Sequence, residues 1–181
     1  MLEVIKTRRS VRKYTDREVD DKTILQLLES ARIAPSGHNT QPWRFIVVRC
    51  PETKKALAEA NHNQTWVGRA PVIIVCVADL GCRVKEPGLS VDENSPQFSL
   101  KQVIRDTAIA VEHLVLEAEN MGLGACWCAW FVQKDVRPLL GIPEDKYVVA
   151  LLPLGYPAES PDERPRMKLE EMVMFEKWED R

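Results

Sequence analysis

Two short stretches hold the side chains best suited to chemistry. In "KTRRSVRKY", residues 6 to 14, Lys6, Arg8, Arg9, Arg12 and Lys13 crowd together in a chain that is otherwise slightly acidic. Three readings of the cluster stand open: a solvated charged face, a contact for nucleic acid, or a phosphate site. The guanidinium forks and the Ser10 hydroxyl between them are suitable donors for the last. The second stretch, "APSGHNTQPW", residues 34 to 43, places Ser36, Asn39, Thr40 and Gln41 between a helix stop and a strand start. Such residues serve turn chemistry. Amides also offer a donor and an acceptor together, which the polar edge of a heteroaromatic ring requires. Pro35 and Pro42 would stiffen the frame.

Other chemistries fit less well. "GLGACW" hints at a dinucleotide fingerprint, but Trp127 stands where the third glycine belongs, and the helix precedes the glycines instead of following them. Gly122 is better read as a helix C-cap, and Gly124 as a point of close backbone approach. His38, His62 and His113 show no ligand spacing to one another or to the cysteines, so no metal site is expected. No nucleophile elbow, P-loop or H-E-x-x-H motif occurs. Cys126 and Cys128 alternate about Trp127, so in a strand both thiols share one face, a core face in the ordinary case.

The bulk numbers bound these readings. A chain of 181 residues, 45% hydrophobic, supports one sizeable core and is expected to form one domain over residues 1–181. With Lys plus Arg at 25 and Asp plus Glu at 27, the net charge of −2 supplies no global field for nucleic acid or an anionic membrane. Any anion site must be local. The N-terminal "MLEVIKTRRS" lacks a secretory h-region, and the longest apolar runs are strand-sized, so a soluble, cytoplasmic protein without membrane contact is expected. Five cysteines without zinc-ribbon spacing suit reduced thiols.

The elements that must position the two stretches follow from periodicity. Residues 20 to 34 place Ile24, Leu27, Leu28, Ala31 and Ala34 at helical spacing, with Asp20 or Asp21 as N-cap and Pro35 as the stop. Residues 44–48 read as a strand, 52–61 as an exposed helix, and 72–78 as a strand buried on both faces. Residues 79–97 form a long excursion, of the kind that often covers a site. From 98 to 121, Val103, Thr107, Ala110, Val111, Leu114, Ala118 and Met121 keep a helical period. "ACWCAWFV" and "YVVALLPLG" read as strands around a short helix at "KDVRPLLG", which gives an α+β or α/β layered arrangement. The tail, 160–181, carries Met167, Leu169, Met172, Val173, Met174, Phe175 and Trp178, and must cover either its own domain or a second subunit.

Taken together, "RRSVRKY", "APSGHNTQPWRF", "GLGACWCAWF" and "PLGYPAESPDERPR" resemble, in order and spacing across nearly the whole chain, the nitroreductase family of FMN-dependent oxidoreductases. The resemblance implies an α+β fold with a central, mostly antiparallel sheet flanked by helices, in an interlocked homodimer with FMN along the interface. It implies that Arg8, Arg9 and Ser10 meet the FMN phosphate with Arg164 and Arg166, and that Arg12 approaches the pyrimidine edge of the flavin. Pro35, Ser36 and Asn39 of the other subunit would contact that edge, Gln41 would support their loop, and Gln64 would reach the cofactor. The stretch from Gly124 to Trp130 would run beside the ring, although Cys126, Cys128 and Ala129 stand where smaller patterns are common. The activity implied is ping-pong hydride transfer from NAD(P)H through FMN to a nitroaromatic, quinone or other small acceptor, with no side chain as acid or base. A flavin store, a flavin reductase and a dehalogenase are the alternatives.

Overall fold

The computed structural model describes residues 1–179. In chain order it contains α1 (Glu3–Thr7), α2 (Asp21–Arg32), β1 (Trp43–Val48), α3 (Pro51–Ala60), α4 (Thr65–Gly68), β2 (Val72–Asp79), α5 (Phe98–Asn120), β3 (Gly124–Ala125), α6 (Gln133–Leu140), β4 (Lys146–Gly155) and α7 (Leu169–Met172). The strands form one antiparallel sheet in the order β1-β2-β4-β3. This is the α+β class with helices on both faces. No helix among the described residues is long and apolar enough to cross a membrane.

Alternation along β2 sorts the core into two layers. Val72, Ile74 and Cys76 face α2 and α5 in one buried cluster, and Ile73, Val75 and Val77 face α3, α4 and α6 in the other. A β-bulge between Cys76 and Val77 shifts the register against β4 near the strand's end. Asp20 caps α2 as expected, its side chain accepting from the Thr23 N–H at 2.7 Å. Helix α5 buries Leu100, Val103, Thr107, Ala110, Val111, Leu114, Val115 and Ala118, the stripe its periodicity calls for, and Gly122 follows it at φ 72°.

One expected strand is shorter than its sequence suggests. Of "ACWCAWFV", only Gly124–Ala125 forms a regular ladder with β4, yet Cys128 and Leu151 still exchange hydrogen bonds in the same register, at 3.0 and 2.8 Å. The interruption is Pro153, which accepts from the Cys126 N–H at 3.3 Å and has no N–H to return. Beyond Cys128 the chain leaves the sheet, and Trp130 is 64% exposed. The short helices α1 and α4 lie in segments whose apolar spacing is too brief to announce them.

Candidate functional site

The two ends of the chain meet beside the sheet. Residues 10–12 lie against β3: Val11 donates to the Ala125 carbonyl at 3.0 Å, and Ser10 pairs in parallel with Ala125. A Cβ on Gly124 would fall 2.7 Å from the Val11 Cβ, so glycine is what lets the two backbones approach. Just beyond β4, Thr15 donates to the Tyr156 carbonyl and Ala158 to the Lys13 carbonyl, both at 2.9 Å. Glu159 Oε1 then accepts the N–H groups of Arg12 and Lys13, at 2.7 and 3.1 Å. This pairing brings Arg8, Arg9, Ser10 and Arg12 against Arg164 and Arg166 around a cleft of about 300 Å³, with Pro161 and Asp162 completing its wall.

The arginines differ in what else they hold. Arg9 Nη1 donates to the carbonyls of Lys6, Thr7 and Arg8 at 2.8–2.9 Å, capping the end of α1, and its Nη2 faces Glu163 at 3.6 Å. Arg166 curls onto the carbonyls of Arg164 and Pro165. Arg12 lies 5.6 Å from the Trp66 ring centroid. Arg8 and Arg164 make no side-chain hydrogen bond or ion pair among the described residues, so their forks are the free donors of the cleft. The Cys128 thiol donates to the Cys126 carbonyl at 3.7 Å. The neighbouring Cys128 thiol, with Arg12, Ser10 and Arg8, holds the Cys126 thiol below the ordinary range. The proximity of Cys126 and burial push Cys128 up. Five guanidiniums and one hydroxyl against one lining carboxylate make a donor set for a multiply charged oxyanion.

The second stretch stands apart from this cleft and is built differently. Pro35, Asn39 and Gln41 are exposed and Ser36 is half-buried. His38, Asn39 and Gln41 all adopt left-handed backbone, at φ 53°, 55° and 46°. Such conformations cost of order 1–3 kcal/mol each and persist where surroundings over-determine them. Here Ser36 Oγ accepts the Gln41 N–H at 3.0 Å, and Gln41 Nε2 reaches the carbonyl and side-chain oxygens of Asn39 at 3.3 and 3.2 Å. Gln41 therefore supports its own loop. Arg44 donates to the Gln41 carbonyl at 3.0 Å and pairs with Asp79 at 3.2 Å. Gly37 is clasped from α5 by Asp106 and from the 79–97 excursion by Arg83. The remainder of that excursion packs Val91 into a further buried cluster with Leu80, Leu100 and Val103, and ties Glu93 to the Gln133 N–H.

Gln64 joins the cleft indirectly, its Oε1 accepting from Trp66 Nε1 at 3.1 Å beneath Arg12. On the same turn His62 stacks on Trp130, with centroids 4.1 Å apart. Sequence reasoning missed Trp66, Glu159, Asp162, Asp106 and Arg83. Glu159 and Asp162 lie inside the quoted "AESPDERPR", but nothing in spacing marks one carboxylate as a backbone acceptor. The exposed tail residues Met167, Leu169, Phe175 and Trp178 are 63%, 67%, 81% and 80% accessible, so the tail does not bury them on its own sheet. The last two residues of the tail, 180 and 181, lie outside the described residues.

The helix-flanked antiparallel sheet is that of the NAD(P)H-dependent flavin oxidoreductases. The chain belongs to the nitroreductase family, whose model matches residues 5–156. Among its relatives, an NADH dehydrogenase of Thermus thermophilus is 36% identical over 93% of this chain and 92% of its own length. An FMN reductase [NAD(P)H] of Bacillus subtilis is 30% identical over 94% of this chain and 72% of its own. The solved NADPH:FMN oxidoreductase from Vibrio harveyi, complexed with NAD+, superposes with a TM-score of 0.86 at 25% identity, over 98% of this chain and 77% of that one.

Proposed function

We propose that the chain is an NAD(P)H-dependent flavin oxidoreductase that holds FMN by its phosphate in the arginine cleft and reduces a small acceptor, such as a nitroaromatic or quinone, by a ping-pong mechanism. The observation that carries this reading is the cleft itself: free guanidiniums from residue 8 and residue 164, brought together within a nitroreductase fold. Its donor set fits a phosphate monoester, which carries close to two charges and three acceptor oxygens. Arg8, Ser10, Arg164 and Arg166 would hold that group; Arg9, already engaged with α1 and Glu163, would add charge more than hydrogen bonds. When bound, FMN supplies hydride acceptance from NAD(P)H and electron delivery to the acceptor. Arg12 and Gln64 would serve its polar ring edge and, like the cleft arginines, bind and orient without acting as acid or base.

The loop of Pro35, Ser36, Asn39 and Gln41 completes the proposed site from a second copy of the chain. Its hydrogen-bond partners belong to its own residues, α5, Arg44 and Arg83, and none belongs to the cleft. A homodimer would deliver this loop to the ring held by the partner, and the exposed apolar tail from 160 onward would wrap that partner. Each protomer is read as a single domain.

Anaerobic mixing of FMN-reconstituted protein with NADH or NADPH tests the reading. Loss of oxidised-flavin absorption and its return on adding a nitroaromatic or quinone are expected, from a particle of dimer size. Bound flavin that neither donor bleaches would indicate a flavin store, and a protein that retains no FMN would contradict the site.

A further inference from the structure

Neither the arginine cleft nor the core explains why an exposed turn keeps three left-handed residues. We propose that Asp106 and Arg83 are the positioning pair of the 36–41 loop, clasping Gly37 from both sides so that the loop is preformed for the polar edge of a flavin ring. The inference rests on the function proposed above and extends it to two residues that line no part of the cleft.

The clasp closes on one residue. The Gly37 N–H donates to Asp106 Oδ2 at 3.2 Å, the Gly37 carbonyl accepts from Arg83 Nη2 at 2.9 Å, and Arg83 Nη2 meets Asp106 Oδ2 at 3.1 Å. Arg83 Nη1 also reaches Gln102 Oε1 at 3.3 Å. Gln102 and Asp106 are one helical turn apart on α5 and share a face. The side chains of Arg83 and Asp106 are only 11% and 14% exposed although the glycine they hold is at the surface. A Cβ at Gly37 would fall 2.7 Å from Arg83 Nη2, so a larger residue there would have to displace the guanidinium. Arg44 fixes the far end through the Gln41 carbonyl.

A charge pair shielded from water acts more strongly than a surface pair. Two charged side chains directed at the N–H and the carbonyl of Gly37 fix the two peptide planes that flank its Cα, and the left-handed residues begin with the next residue. Because Arg83 belongs to the 79–97 excursion, that segment reaches the loop through its guanidinium and acts as a buttress.

Asp106→Asn, which keeps shape and removes charge, and Arg83→Gln test the inference in the full-length protein. Amide exchange at residues 37–41 is expected to quicken about tenfold while β2 stays protected. Affinity for FMN and for riboflavin should fall by the same factor, about tenfold, with a shifted midpoint potential of the bound flavin, because the phosphate cleft is untouched. Unchanged loop exchange, or unchanged flavin affinity and potential in both variants, would overturn the inference. So would exchange that quickens throughout the sheet, or a loss confined to FMN. Wild-type protein that binds neither flavin would instead contradict the functional reading, and this inference with it.

Discussion

The arginine cleft and the 36–41 loop are built by opposite means. In the cleft no residue has left-handed backbone, and the chemistry sits on long side chains, two of which have no partner among the described residues. In the loop the backbone itself is unusual, held left-handed at His38, Asn39 and Gln41 and clasped at Gly37. A multiply charged oxyanion is satisfied from many directions, so flexible guanidiniums suffice. The edge of a flat ring needs donors and acceptors in fixed places, which calls for preorganisation before the ligand arrives. Charge recognition is thus built from residue type, and shape recognition from tertiary contacts.

Substitutions can separate the two. Arg166→Ala is expected to weaken FMN binding by about 1.5–3 kcal/mol, measured by fluorescence titration, while riboflavin binding stays unchanged; equal losses for both ligands would dissolve the distinction. Gly124→Ala should lower the stability of the protein by about 1–3 kcal/mol in denaturant unfolding, because its Cβ collides with Val11, and should release FMN as residues 10–12 lift from β3. Glu159→Ala removes the acceptor of two amides and is expected to cost about 1 kcal/mol of stability, with a smaller loss of FMN than Arg166→Ala. Smallest of all, Ser36→Ala should cost about 0.5–1.5 kcal/mol through the lost Gln41 N–H bond and weaken FMN and riboflavin alike.

The same contrast governs what the sequence makes legible. The stripe of α5, the Asp20 cap, the doubly buried β2 and the approach at Gly124 are local or periodic, and each stands where residue spacing puts it. Half of the cleft is legible by type, in the basic cluster at residues 6–14; its pairing with Arg164, 156 positions beyond Arg8, and with Arg166 is implied only by the family resemblance. The interruption at Pro153 is visible only once its partner Cys126 is known. The clasp has no sequence signature: Arg83 and Asp106 are 23 residues apart, and Gly37 lies 69 residues from Asp106. Nor does composition reveal that Arg9 is engaged with the end of α1 while Arg8 is free.

The most direct measurement is a paired titration of FMN and riboflavin against the wild type and an Arg8→Ala/Arg164→Ala variant, in phosphate-free buffer. The wild type should prefer FMN by roughly a hundredfold or more, and the variant should lose most of that preference while its riboflavin affinity holds. Equal affinity of the wild type for the two ligands, or a variant whose preference for FMN survives intact, would contradict the assignment of the cleft to the phosphate.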